Sequence, residues 1–149
     1  MRVWHGTLAV LLGMSIWTLA EQPKVAIDLR CGTRHAASDH PTLGLRATVF
    51  NNTDEVLFWP SLRHGAFAEY LVITDEADHR IFPKGWSSGM PSVVHGGGSL
   101  FVDPHKTAVD EIDLNEFYAL SPGAKYKVFV SHRYKGVWVE SNHEICVAP

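Results

Sequence analysis

Beyond its first 20 residues, the sequence predicts an all-β antiparallel sandwich of about seven to nine strands. Apolar and polar residues alternate with a period of two in short runs, as they do in half-buried strands. Gly, Pro, Asn and Asp separate these runs at short intervals, which is typical of sandwiches and small barrels. No apolar pattern of helical period extends over ten residues, so an all-β class is indicated.

The individual strands follow from this alternation. Residues 24–31, 43–50 and 125–131 alternate over their whole length, and each predicts a strand. Shorter strands are predicted at residues 56–59, 67–74, 80–82, 93–94, 100–102 and 108–114. Residues 115–120 predict one helical turn, and residues 137–147 predict the last strand. The turn Tyr134-Lys135-Gly136 joins the final two strands.

One detail favours the immunoglobulin-like class among sandwiches. A Pro122-Gly123 turn comes shortly before Tyr126, which begins the penultimate predicted strand. This is the place of a tyrosine corner, in which the hydroxyl bonds to backbone a few residues upstream. The alternative is an ordinary half-buried tyrosine. We therefore predict one immunoglobulin-like sandwich domain over residues 21–149.

Residues 1–20 have the pattern of a cleavable signal peptide. Arg2 supplies a positive charge, an apolar run follows, and the next charged residue is Glu21. Thr18 and Ala20 place small residues three back and one back from a cleavage after Ala20. The alternative is an uncleaved membrane anchor, but a span needs about 20 predominantly apolar residues and this segment is shorter. We predict a secreted or periplasmic protein without stable membrane insertion after cleavage.

Without Arg2, the chain has 12 basic and 16 acidic residues and a formal net charge of −4. Mild acidity with singly scattered Lys and Arg argues against nucleic acid and anionic membranes as partners. The content of 46% hydrophobic and 19% charged residues is typical of a folded domain.

The two cysteines, Cys31 and Cys146, lie near the two ends of the predicted domain. In an exported protein, two cysteines most simply form one disulfide, and the alternative is a pair of buried free thiols. The strand pattern leaves the geometry of this bridge unexplained. Cys31 lies on the apolar face of its strand, whereas Cys146 lies opposite Ile145 and Val147. A β-bulge near Ser141-Asn142 would not itself change that local parity, so one strand must twist or end before its cysteine.

Two short motifs match α/β-hydrolases but lack the required context. Residues 85–89 match G-x-S-x-G, and residues 95–98 match the HGGG oxyanion-hole segment. The nucleophile elbow needs a strand before the serine and a helix after it. Pro83 and Pro91 flank the motif instead, and the HGGG segment follows the serine, although in hydrolases it precedes it. We predict no catalytic residue, no cofactor and no enzyme activity.

Eight histidines lie beyond residue 20, but they do not have the spacing of a metal site. The nearest approach to such spacing is the loop that contains His35, Asp39 and His40. Scattered surface histidines are usually only solvated, so we predict no metal ligand.

The loop around Trp86 is the predicted partner-binding site. Phe82, Trp86 and Met90 lie in a segment of Gly, Ser and Pro, and loops on a rigid scaffold often carry binding residues. The alternative is a loop that folds its tryptophan over the end of the sandwich. Trp59 and Trp138 lie on predicted strands, where we expect them to pack in the core.

Residues 51–54, 70–75 and 120–130 together resemble secreted bacterial immunoglobulin-like domains of unassigned role. They are also similar to the BsuPI-type proteinase-inhibitor domain, another small β-sandwich. The resemblance rests on turn and strand pattern and transfers no functional residue. It implies a sandwich and, more specifically, proteinase inhibition.

The predicted function is that of a secreted, non-enzymatic interaction domain that binds a protein or peptide through loops or a strand edge. The alternative is a small extracytoplasmic metal-binding protein that uses surface histidines. Asn51 begins an N-x-T glycosylation sequon, although a polar turn explains the same residues.

Overall fold

The computed structural model describes residues 23–35, 40–62, 70–85 and 98–149. Of these, 57% lie in strands and 5% in helices, so the predicted all-β class is confirmed. The strands are β1 (Val25–His35), β2 (Pro41–Asn51), β3 (Leu57–Pro60), β4 (Leu71–Thr74), β5 (Ser99–Val102), β6 (Thr107–Asp113), β7 (Lys125–Tyr134), β8 (Val137–Glu140) and β9 (Glu144–Val147). A single helical turn, α1 (Leu114–Phe117), follows β6.

The described strands form two larger antiparallel sheets and a two-stranded ribbon. The first sheet has the order β1-β2-β6, and the second has β4 on one side of β7 and both β8 and β9 on the other. The ribbon pairs β3 with β5. Buried residues of both sheets and of the ribbon belong to one hydrophobic core, consistent with a sandwich.

The core follows the predicted alternation in the long strands. In β2 the odd-numbered residues from Leu43 to Val49 are buried, and Arg46 and Thr48 point away from the core. In β7, Tyr126, Val128 and Val130 are buried. This alternation places one face of each sheet in the core and the other outside.

The connection between β7 and β8 is a two-residue hairpin loop. Lys135 has φ 46° and Gly136 has φ 86°, the left-handed values that type I′ turns require at both central positions. The turn predicted here is confirmed, because Tyr134 pairs directly with Val137 across it.

The predicted tyrosine corner is present. The hydroxyl of Tyr126 accepts a hydrogen bond of 2.8 Å from the backbone N–H of Ser121. The ring is buried at the start of β7, so the bond holds the 121–124 turn against the strand that the turn precedes.

Cys31 and Cys146 form a disulfide with a Cα–Cα distance of 5.6 Å. The predicted pairing is confirmed, and it joins β1 of the first sheet to β9 of the second. The amide of Asn142 makes a second link nearby, since it accepts from the N–H of Leu29 at 2.7 Å and donates to its C=O at 3.0 Å.

Three sequence expectations require correction. Residues 80–82 form only an isolated bridge between Thr74 and Arg80, not a strand. The single strand expected over residues 137–147 is divided into β8 and β9. Trp138, expected in the core, is 68% exposed, whereas Trp59 is buried as expected.

Candidate functional site

The outer face of the second sheet carries a strip of exposed apolar side chains. Trp138 on β8 is 68% exposed, and Ile145 and Val147 on β9 are 61% and 52% exposed. All three lie on β8 or β9, the two short strands that pair with the same side of β7. We call Trp138, Ile145, Val147 and the neighbouring Phe129 and His143 the aromatic face. The β7 partners of Trp138 and Ile145 are six residues apart, and the Phe129–His143 stack lies between them. Exposed apolar side chains grouped on one face mark interaction sites in many soluble proteins.

A β-bulge between β8 and β9 creates this arrangement. The chain advances four residues from Glu140 to Glu144, while the paired positions on β7 advance only three, from Ser131 to Val128. One additional residue exchanges the two faces of the strand that follows. Cys146 therefore pairs with the buried Tyr126 and points inward.

The two neighbours of Cys146 point outward for the same reason. Ile145 lies opposite Lys127 and Val147 lies opposite Lys125. Cys146 lies opposite Ile145 and Val147, as expected, but the cysteine is on the core side of the strand and the two aliphatic residues are exposed. The unexplained geometry of the disulfide is resolved without any twist or early strand end, because the cysteine is the core residue of β9.

The bulge itself is stabilised by side chains. The hydroxyl of Ser141 accepts from the N–H of Val130 at 2.9 Å and donates to the C=O of Asn142 at 2.7 Å. His143 stacks on Phe129 with ring centroids 4.3 Å apart and an interplanar angle of 19°. Its ring is also 2.9 Å from Glu140. These contacts hold the middle of the aromatic face in one conformation.

Basic side chains line the other side of the strip. Lys125, Lys127 and Arg133 alternate along the outer face of β7, and Arg133 lies directly opposite Trp138. Lys127 contacts Asp78 at 2.6 Å, and the Nε of Arg133 donates to the C=O of Gly136 at 3.1 Å. The aromatic face is thus an apolar strip with a positively charged border.

The predicted binding loop is described only in part. Phe82 is 48% exposed, and the guanidinium of Arg80 lies 5.3 Å above its ring. Lys84 anchors the segment to α1, because its N–H donates to the C=O of Phe117 at 2.7 Å. Trp86 and Met90 lie outside the described residues, so their predicted role stays a prediction.

Three of the histidines that the structure describes each contact one carboxylate. His79 contacts Asp75, His105 contacts Asp54, and His143 contacts Glu140. Within residues 23–35, 40–62, 70–85 and 98–149, no group of three His, Cys, Asp or Glu is arranged to hold a metal ion. His132 lies opposite Val139, as the sequence predicts, and its ring packs 5.0 Å from that of Trp59.

The two hydrolase-like motifs lie outside the described residues except for Gly85 and Gly98.

Asp110 is a buried carboxylate that the sequence did not single out. Asp110 accepts from the hydroxyl of Ser61 at 2.8 Å and from the N–H of Leu62 at 2.5 Å. Tyr70 donates to the C=O of Ser61 at 3.0 Å. These bonds position backbone at the end of the β3 segment.

Asn51 is fully buried, and this bears on the glycosylation sequon. Its Nδ2 donates to the carbonyls of Glu55, Val102 and Asp103 at 2.8 to 3.1 Å. Its Oδ1 accepts from the N–H and the hydroxyl of Thr53. A glycan replaces one hydrogen of Nδ2, so it would break at least one of the bonds that Nδ2 donates, and it has no space in the core. The turn interpretation of residues 51–54 is therefore the one that fits this fold.

None of the helices formed by the described residues is long and apolar enough to cross a membrane.

Comparisons with known proteins add little to this description. No protein-family model matches the sequence, and no curated protein is significantly similar to it. One similar solved structure is the X-ray structure of Northeast Structural Genomics Consortium target SoR45. It has 9% sequence identity and a TM-score of 0.41, over 85% of this chain and 83% of that chain. At these values the likeness carries no argument, and the site rests on the geometry above.

Proposed function

We propose that this protein is an exported, non-enzymatic binding domain of immunoglobulin-like topology, and that the aromatic face is its contact surface for a polypeptide. The single observation that carries the proposal is the exposure of Trp138, Ile145 and Val147 on the same outer face of the second sheet. Tryptophan is among the residues most enriched at binding hot spots.

Strand order supports the immunoglobulin-like assignment. In that fold, strands A, B and E lie together in one sheet and strands C, F and G in the other. Here β1, β2 and β6 take the places of A, B and E. The second sheet supplies β4 for C, β7 for F, and β8 with β9 for G. The tyrosine corner of Tyr126 stands at the start of β7, where strand F carries it.

Export is supported by two independent features. Residues 1–20 have the charge and apolar pattern of a cleavable signal peptide. The disulfide between Cys31 and Cys146 is of the kind that persists in oxidising compartments. Together they favour a secreted or periplasmic location.

The shape of the aromatic face favours a polypeptide over a small molecule. The strip follows β7 from Lys125 to Arg133, which at about 3.4 Å per residue is roughly 27 Å. A standard protein interface buries about 800 Å² on each partner, and a strip of this length suits an extended segment. Small molecules prefer concave pockets instead.

The charge of the border indicates the chemistry of the partner. Apolar side chains of β8 and β9 lie opposite basic side chains of β7 at three positions: Trp138 and Arg133, Ile145 and Lys127, Val147 and Lys125. A segment that alternates apolar with acidic residues would match both rows. Complementary charge also speeds association and excludes wrong partners.

The experiment selects phage-displayed random 12-residue peptides on the protein purified after export. We expect enrichment of sequences in which apolar residues alternate with Asp or Glu. Trp138→Ala should weaken the selected peptides at least 30-fold, because loss of a hot-spot residue costs about 2 kcal/mol or more. Its folding stability should change by no more than about 0.5 kcal/mol.

Phe101→Ala is the matched control. Phe101 is also an exposed aromatic residue, but it lies on the β3-β5 ribbon, where it forms an edge-to-face pair with Phe58. This variant should leave peptide affinity unchanged. Equal peptide affinity of Trp138→Ala and the unmodified protein would refute the aromatic face as the binding surface.

A further inference from the structure

The outer face of the first sheet contains a groove that the proposed function does not use. Gly32 of β1 lies directly opposite Gly44 of β2. Two residues away on the same outer face, Arg30 lies directly opposite Arg46. The side chain of Arg34 occupies the space in which a side chain at Gly44 would lie. The groove has a volume of about 300 Å³, and its walls carry three arginines and Glu111.

Positive charge exceeds the local negative charge inside the groove. Glu111 is shared between two guanidinium groups, at 3.7 Å from Arg34 and 3.9 Å from Arg46. Both distances are too long for hydrogen bonds. Arg30 contacts Asp28 at 3.1 Å, at the margin of the groove. Like charges directly opposite each other on a sheet are destabilising, so the Arg30 and Arg46 pair costs stability that an anion between them would restore.

The two glycines have different steric roles. A Cβ on Gly44 would lie 2.4 Å from the Cγ of Arg34, so the absence of a side chain at Gly44 allows Arg34 to reach across the sheet. A Cβ on Gly32 would meet no atom within 4 Å. Glycine weakens a strand interior and often marks a place where a ligand approaches the backbone. Packing therefore does not require Gly32, and its effect is an open floor beneath the arginines.

We propose that this groove binds a small multivalent oxyanion, a compound with two or more carboxylate or phosphate groups. Guanidinium groups recognise such oxygens through paired, charge-assisted hydrogen bonds. The volume of about 300 Å³ is at the lower end of small-ligand pockets. Beyond residue 20 the chain has a net charge of −4, which disfavours extended polyanionic surfaces and leaves small anions as the matching class.

The experiment measures the binding of citrate and of inorganic pyrophosphate to the exported protein by isothermal titration calorimetry at constant ionic strength. We expect saturable binding of at least one of them at a ratio of one to one. Arg46→Gln should weaken it at least 10-fold. Gly32→Val should weaken it similarly by filling the floor, while its folding stability stays the same or rises, because a β-branched residue suits this open strand position.

A gain of affinity gives the sharpest test. Glu111→Gln removes the carboxylate that competes with the ligand for Arg34 and Arg46, so it should tighten binding several-fold. The matched control is Arg80→Gln, which removes an exposed arginine that lies beside β4, outside the first sheet, and should leave anion affinity unchanged. The stated pattern of losses and gain would support the groove as the site.

Three results would overturn the proposal. One is the absence of saturable heat with both anions, and another is an equal loss of affinity in Arg46→Gln and Arg80→Gln. The third is binding to phosphatidylglycerol vesicles that depends on Arg46 without binding of either small anion, since the ligand would then be a lipid surface.

Discussion

The buried side chain of Asn51 makes five hydrogen bonds, and its replacement gives a sharp test of the fold. The residue ends β2 with no exposed surface. Its amide bonds join two stretches of chain, the turn that contains Thr53 and Glu55 and the segment that contains Val102 and Asp103. In Asn51→Ala all five of its side-chain hydrogen bonds, including those to Asp103 and the Thr53 hydroxyl, are lost together.

The expected magnitude follows from the burial of the partners. The bond to the C=O of Val102 is fully buried, whereas the other four are only partly buried and water can replace part of them. A buried carbonyl left without its donor costs about 1–3 kcal/mol, and each ordinary bond contributes about 1 kcal/mol net. We therefore expect Asn51→Ala to lower the free energy of unfolding by about 3–5 kcal/mol.

The neighbouring residue supplies the matched control. Asn52 has the same side chain, but its Nδ2 makes one exposed bond, to the C=O of Pro23. Asn52→Ala should therefore cost less than about 1 kcal/mol. Urea unfolding of both variants measures the difference. With a slope of about 2 kcal/mol per molar, the midpoint of Asn51→Ala should fall by about 2 M. Equal midpoints for the two variants would show that the buried amide does not stabilise this fold as argued.

Four further predictions concern export, the disulfide and two aromatic residues. N-terminal sequencing of the exported protein should begin at or within a few residues of Glu21, and retention of Met1 would contradict a cleaved signal peptide. Reduction of the Cys31–Cys146 bridge should lower stability by about 4–5 kcal/mol in the chain-entropy model, since it closes a separation of 115 residues; free thiols in freshly isolated protein would contradict the pairing. Trp86→Ala should change stability by no more than about 0.5 kcal/mol in urea unfolding if its loop binds a partner, and a loss of about 3–5 kcal/mol would show that it caps the core instead. Tyr126→Phe removes only the hydroxyl of the tyrosine corner and should cost about 1 kcal/mol in the same assay, whereas an unchanged midpoint would argue against the corner.

Much of the fold follows from local sequence. Strands β1, β2 and β7 were predictable because polar and apolar residues alternate over most of their length, which sets both the strand and the side that faces the core. The Tyr126 corner was predictable from a Pro-Gly turn before a strand. The disulfide was predictable from the signal-peptide pattern of residues 1–20 and the count of two cysteines.

The candidate binding face was not predictable in this way. In β8 and β9 apolar residues are consecutive: Val137, Trp138 and Val139, then Ile145, Cys146 and Val147. Such runs have no polar residue to show which side is exposed. Local alternation therefore could not place Trp138 outside or Cys146 inside.

The groove of the first sheet was not predictable from local sequence either, because it depends on how two strands pair. Gly32 and Gly44 are twelve positions apart in the sequence, and neither the glycines nor Arg30 and Arg46 form a motif along the chain. They meet because β1 pairs with β2 in one register. A shift of one residue would place each of them opposite a different neighbour.

The sequence by itself predicted the alternating strands, the tyrosine corner and the pairing of the two cysteines. Only the tertiary structure decided which sides of β8 and β9 face the solvent. The reason is physical: side chains opposite each other across a ladder share a face, and β7 has an unambiguous buried side. The bulge between Glu140 and Glu144 then sets the register of β9 against β7, so that Cys146 enters the core and Ile145 and Val147 are left in water.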